Sequence, residues 1–591
     1  MMKKEPPASL ATGSPPSSSL ARALQFSPAR WFPQVRAGRL LLLLIVAVVL
    51  FYGVVYPNLR VVIASLERDG VWSLANYREA LSQRAVLESA ATSVGVSVLT
   101  VLLCAAVGVP LAFLFERYEF PARRLFASLA SLPLVLPPLV GTVAFIFLCG
   151  ESGILARAAQ WALGLKSAPW SLRGWGALLL FHVYTMYPFF YVLVGAGLRR
   201  IDAGLAEAAR GLGAGPARVL FKVLLPQLTP SLVAAALLTF MTSMASFSAP
   251  LLFGGNVRVL TLEIYSARQR GDLALALTET TILAAISLGA LIFFQRYGGM
   301  RQFAAAATKG ATRQRTPIKS GRARTIAMIC GIVFSVVLAL PVITLILVSF
   351  ARDGQWTTQT LPPAYTLENF VRIFTQQRTG EVIVNSLSMS GIAALASLVW
   401  GFCAATAVTG GSGRALWQRL ISLLVLVPWA LPGTVVAVSI AEAYGQPNPL
   451  TGTFILVGTF WILPVIYFLR FMPLVVRAVQ ASIEQMDPAL EEAAGSLGAS
   501  WWRRFWRVRL PLVWPGAVAG TLLAFVIALG EYVASVLVFT PRNRPISIAI
   551  ASEMRDFNLG SAAAYGVVLI LLIAISMTIA ARLERYAERR Y

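Results

Sequence analysis

The apolar residues of this chain come in long blocks separated by short polar stretches. A bilayer core about 30 Å thick is crossed by roughly 20 helical residues. Windows of that length occur near 40–65, 88–115, 124–149, 176–198, 229–252 and 274–295, and again near 325–350, 383–409, 416–442, 452–476, 513–538 and 562–582. The pattern predicts an all-α polytopic membrane protein with about twelve spanning helices. Prolines interrupt the windows at 124–149 and 416–442. Proline removes a helix donor and kinks the segment that holds it, so these two windows have the least defined ends.

Positive charge orients the blocks. The connection 296–324 holds eight basic residues and no acidic one, whereas 67–86 and 351–381 each balance three basic residues against three acidic ones. Retention of basic loops inside the cell puts both termini and the linker on the cytoplasmic side. Residues 1–38 are rich in Pro, Ser, Ala and Arg and read as a disordered cytoplasmic tail. The apolar run after it is too long and too late in the chain for a cleaved signal, and is expected to stay as the first span.

Composition agrees. Of the 591 residues, 57% are hydrophobic and 13% charged, too little polar surface for a soluble globule. The net charge of +24 does not imply a nucleic-acid partner, because the basic residues flank apolar segments. Cys104, Cys149, Cys330 and Cys403 all fall inside apolar stretches without CxxC spacing, and read as small core or lipid-facing residues.

The most informative pattern is a repeat. "EAARGLGA" at 207–214 returns as "EAAGSLGA" at 492–499, and at the same 285-residue offset Asp202 meets Asp487, Arg218 meets Arg503, Phe221 meets Trp506, Pro226 meets Pro511 and Phe247 meets Tyr532. Upstream the offset drifts, yet "LPLVLPP" (132–138) still resembles "LVPWALP" (426–432). The chain therefore divides into a first half (39–297), a basic linker (298–324) and a second half (325–591), each half with six helices. Both motifs fall on one side of the membrane, which makes the repeat parallel and not inverted. Each motif, spanning 201–227 and 483–512, predicts a short helix with an acidic start, a bend at Gly213 or Gly498, and a second, basic and aromatic helix ended by Pro226 or Pro511.

This constellation resembles the EAA loop of ABC-importer permeases, in which a Glu-Ala-Ala run is followed by glycine and then a Leu-Pro pair. Both copies match: Glu207, Ala208, Ala209, Gly213 and Leu225-Pro226; Glu492, Ala493, Ala494, Gly498 and Leu510-Pro511. The resemblance covers nearly the whole chain after residue 40 and implies the type I permease fold, with each loop docked in a groove of a cytoplasmic ABC ATPase. Two loops imply two ATPase copies, with ATP-Mg held on that partner and no cofactor on this chain. A substrate-binding protein on the outer face of a bacterial inner membrane would deliver the cargo, and alternating access would carry it inward. The stretches 117–148 and "EYVASVLVF" (531–539) look most like the ferric-iron permease group. Thiamine, phosphonate and polyamine permeases border that group and remain alternatives. In the first half Ser246 stands where an acidic residue is often expected before the aromatic, which puts a shared carboxylate pair in doubt.

The chain holds no phosphate-cradling GxxxxGK[ST] motif, no catalytic constellation and no set of metal ligands. Its single histidine, His182, lies inside a predicted span, either as a hydrogen-bonded packing residue or as a pathway residue. Ionisable groups within spans are costly and mark function or a partner. Glu531 stands inside a span and aligns with Ser246, so it lines the translocation pathway or is a partnered structural carboxylate. His182, Ser246 and Glu531 are the pathway candidates. A gradient-driven secondary transporter could share twelve helices in two parallel halves, but would have no use for paired docking loops.

Overall fold

The computed structural model describes residues 37–298, 315–356, 359–409 and 416–588. The tail expected over 1–38 and the linker expected over 298–324 fall largely outside them. Among the described residues, eleven helices are long and apolar enough to cross a membrane, and a bent pair makes a twelfth. The first half contributes Leu41–Ser65, Arg84–Arg117, Pro138–Ala162, Gly174–Arg200, Pro216–Met244 and Leu273–Arg296. The second contributes Gly321–Ser349, Thr379–Thr409, the pair Trp417–Ala430 and Gly433–Ala443, then Ile462–Gln485, Trp502–Leu529 and Leu559–Leu583.

Several boundaries differ from the sequence reading, and the windows at 229–252 and 513–538 end early, at Met244 and Leu529. The window at 124–149 divides into a helix at Arg123–Leu129, a short 3-10 turn at Leu132–Val135 and a span beginning at Pro138. Pro133, Pro137 and Pro138 cannot donate to an unbroken ladder. The window at 416–442 bends by 107° between Ala430 and Gly433, at Leu431-Pro432. The window at 452–476 begins irregularly because Gly452 and Gly458 take positive φ of 60° and 83°, so the span starts at Ile462.

A further difference concerns the two Glu-Ala-Ala motifs. Pro226 and Pro511 do not end the second motif helix. That helix runs on into the fifth and eleventh spans, through one wide π-helical turn at Leu220–Leu224 in the first half and another at Phe505–Arg509 in the second. These turns lie 285 residues apart. A π turn shifts the hydrogen-bond register by one residue, and each proline follows the turn near the start of the α-helical continuation, where its missing N–H is tolerated.

The halves interleave. The first span packs against the second half, where Tyr56 Oη donates to Asn448 Oδ1 (2.8 Å) and Tyr444 Oη donates to the Tyr52 carbonyl (2.6 Å). The seventh span packs against the first half, where Tyr184 Oη donates to the Leu338 carbonyl (2.9 Å). At Gly331 a Cβ would stand 2.6 Å from the Phe126 ring, so only glycine admits this approach.

The repeat also extends beyond the alignable motifs. Buried Asn76 donates to the carbonyls of Ser65 and Glu67, both at 3.0 Å, and buried Asn369 donates to those of Ser349 (2.9 Å) and Ala351 (2.8 Å). Each asparagine ties the end of its half's first span to the helix that follows.

Candidate functional site: paired docking loops and a central aromatic contact

The two motifs fold alike. The Asp202 carboxylate accepts from Gly204 N–H (2.9 Å) and caps the helix Ala203–Gly211; Asp487 accepts from Ala489 N–H (3.0 Å) and caps Pro488–Ser496. These caps satisfy donors that a helix start leaves free. Gly213 (φ 82°) and Gly498 (φ 79°) turn the chain through the left-handed region, as the bend required. Ala214 N–H then closes on the Ala209 carbonyl (2.9 Å), and Ala499 N–H on that of Ala494 (3.0 Å), a glycine-type helix stop.

Glu207, Ala208, Glu492 and Ala493 face solvent, while Ala209 and Ala494 are half-buried against the turn. The leucine before each bend is highly exposed: Leu212 is 89% exposed and Leu497 88%. Six spans, the bent pair counted as one, separate the two loops, which returns the chain to the same side. Both loops thus present an exposed leucine on the same side of the fold.

The second element lies at the remote end of the fifth and eleventh spans, roughly 40 Å from the loops at about 1.5 Å per residue. Both helices stop at equivalent points, Met244 and Leu529, and the chain breaks through Ala245–Phe247 and Gly530–Tyr532. The frame around the break is shared. Thr261 Oγ1 donates to the Ser246 carbonyl and Ser547 Oγ to the Glu531 carbonyl, both at 2.8 Å. Leu260 N–H donates to Ser93 Oγ (2.9 Å) and Ile546 N–H to Ser386 Oγ (2.7 Å).

At the centre the equivalent residues meet. Phe247 and Tyr532 lie edge to face with ring centroids 5.9 Å apart, 1% and 5% exposed, and Tyr265 packs on Phe247 at 5.4 Å. A Cβ on Gly530 would stand 2.9 Å from Pro137, so the first half presses directly on the break of the second. Leu139, Val140 and Val143 from one half and Leu529 and Val526 from the other complete a shared apolar cluster.

Residues 108–298 and 397–589 each match the family of binding-protein-dependent transport system inner membrane components. The chain belongs to this family. Each matched segment holds one Glu-Ala-Ala loop and one central aromatic, so the permease is two fused copies of the family unit. It is 30% identical to a probable ABC transporter permease protein of Sinorhizobium fredii, over 93% of this chain and 96% of that one. It is 26% identical to the ferric transport system permease protein FbpB of Actinobacillus pleuropneumoniae, over 90% of this chain and 76% of that one. A putative 2-aminoethylphosphonate transport system permease protein of Salmonella paratyphi A is 29% identical, over 46% of this chain and 96% of its own length. The permease is thus the membrane subunit of an ABC importer, a transport component.

The structure brings together two of the three pathway candidates: His182 Nε2 and Ser246 Oγ share a hydrogen bond of 2.9 Å. His182 is fully buried, and its Nδ1 faces Thr100 Oγ1 (3.2 Å) and Ser243 Oγ (3.3 Å). Glu531 belongs to the other half's break. Its Oε2 forms an ion pair with Arg470 Nη1 at 2.6 Å, and its Oε1 accepts from Ala534 N–H at 2.9 Å. Sequence reasoning missed Arg470, although an arginine inside the apolar window at 452–476 is the same kind of signal as Glu531. It also missed Leu212 and Leu497, which resemble core residues in the sequence.

Proposed function

We propose that the permease imports ferric iron across a bacterial inner membrane, driven by two copies of a cytoplasmic ABC ATPase that bind ATP-Mg and grip its two docking loops. A binding protein on the outer face supplies the cargo. The observation that carries the ATPase reading is the pair of similarly capped and turned, solvent-facing loops on one side, each tipped by an exposed leucine. Basic flanks support a cytoplasmic position for that side. The Phe247–Tyr532 contact, far from the loops and made by both halves, is the seal that alternating access must open.

Iron is supported by the similarity to a ferric permease along nine-tenths of the chain. Phosphonate is the second reading, supported by the match of a half-length permease to one half of this chain. Both oxygens of Glu531 are engaged within the protein, which favours recognition of the cargo on the binding protein and only passage here.

Two measurements test this. Leu212→Asp combined with Leu497→Asp lowers the ATPase recovered with the purified permease by about tenfold or more, since a desolvated leucine anchor is worth at least 1.5–3 kcal/mol. Glu207→Lys or Glu492→Lys weakens recovery less. Unchanged recovery in the double leucine variant rejects the docking role. For cargo, vesicles carrying permease, ATPase and binding protein accumulate radiolabelled ferric iron when ATP is present, and accumulation of 2-aminoethylphosphonate instead assigns the second reading.

A further inference from the structure

The fourth and tenth spans end directly in the caps of the docking loops, at Arg200 before Asp202 and at Gln485 before Asp487. Each span also grips the central break. In the first half His182 holds Ser246, the residue before Phe247. In the second half Arg470 holds Glu531, the residue before Tyr532. By the 285-residue offset His182 corresponds to Tyr467 and Arg470 to Thr185, so the two grips sit within one helical turn of each other on equivalent helices. Thr185 donates within its own helix, to the Phe181 carbonyl at 3.0 Å, and does not take Arg470's part. Tyr467 Oη meets Ser535 Oγ at 2.7 Å, and Ser535 in turn donates to the Glu531 carbonyl at 2.9 Å, so the tenth span holds its break at two points. The grips lie roughly 27 Å (His182) and 22 Å (Arg470) along the helix from the loop end, at about 1.5 Å per residue.

The backbone frame of the break is the same in both halves, and the chemistry and number of the grips differ. We infer that His182 and Arg470 are positioning residues that transmit displacement of the docking loops to the Phe247–Tyr532 seal, a neutral hydrogen bond serving one half and an ion pair the other. A helix is stiff along its axis, so a pull at the loop arrives at the grip nearly undiminished. A buried ion pair is electrostatically stronger than a neutral bond, so the Ser246 side releases before the Glu531 side, and the seal opens asymmetrically. The inference rests on the ATPase-driven reading above.

The test uses the full permease with its co-purified ATPase in nanodiscs. Spin labels are placed at cysteines replacing Gly271 and Phe557, which are exposed turn residues of the two halves, in a chain whose four native cysteines are serine. ATP with vanadate shifts the label distance in the parent. Arg470→Gln or Glu531→Gln alone, each leaving one charge without its partner, cuts that shift by more than half while the ATPase stays bound. The double variant Arg470→Gln/Glu531→Gln restores it, because two amides rebuild a neutral grip like that of the first half. A role for Glu531 as a cargo ligand does not give this rescue, and a purely structural role does not lower the shift while the ATPase stays bound. In the first half His182→Leu lowers the shift and His182→Gln keeps it; this pair carries the test if a single-charge variant fails to reach the membrane. A normal shift in the single variants and in His182→Leu, or a double variant as unresponsive as the singles, overturns the inference. Loss of the ATP-dependent shift in the parent itself would instead reject the ATPase-driven reading.

Discussion

Replacing Phe247 and Tyr532 together by alanine makes the permease leak in the absence of ATP. The two rings are the point where equivalent residues of the halves touch, and both are buried. Truncating a buried phenylalanine to alanine costs about 3–5 kcal/mol, much of it as a cavity the surroundings fail to fill. Here that cavity opens on the axis between the halves, with Tyr265 left beside it. Proteoliposomes carrying the double variant should dissipate an imposed proton gradient at least tenfold faster than the parent, read with an entrapped pH dye. Each single variant leaks less, because the remaining ring still covers part of the gap. Tight vesicles with the double variant, inserted at parental levels, would show that the seal lies elsewhere.

Valine at both Gly213 and Gly498 abolishes ATP-coupled uptake. A Cβ at either position would meet no atom within 4 Å, so crowding does not forbid it. The objection is conformational: φ values of 82° and 79° lie where an ordinary L-residue loses roughly 1–2 kcal/mol and a β-branched one more. The chain escapes that strain by re-routing the turn, which swings the exposed leucine and the Glu-Ala-Ala face out of register with the ATPase. Asparagine, which tolerates the left-handed region, separates the two explanations: Gly213→Asn with Gly498→Asn should keep most of the uptake. Equal loss with asparagine and valine would point to a need for the bare glycine surface.

Much of this architecture was legible in the chain because lipid imposes a simple demand. Every backbone polar group in the bilayer must be satisfied within its own segment, so apolar length alone located most spans. The docking loops were legible for a different reason: capping aspartates, an Ala-rich turn and a glycine are local chemistry, and local chemistry repeats. What the sequence concealed depends on contact between distant segments. Phe247 and Tyr532 align, but alignment does not say that two equivalent residues touch. Glu531 could be read as a pathway carboxylate because its partner sits 61 positions away, on another span. Leu212 and Leu497 carry no signal of exposure, since a leucine beside a glycine is as common in a core. The continuation of the motif helix through Pro226 and Pro511 was hidden because a π turn has no composition of its own.

The crossed first spans bear on how the molecule is made. The N-terminal span of each half finds its hydrogen-bond partners, Asn448 and Tyr444 or Tyr184, on the other half. A half synthesised alone would present an orphan arm to lipid and an empty slot on its flank. The chain between the halves therefore does more than count subunits. By keeping the second half at high effective concentration near the first, it favours the exchange of arms within one molecule over the open-ended exchange among several that would otherwise compete during biogenesis.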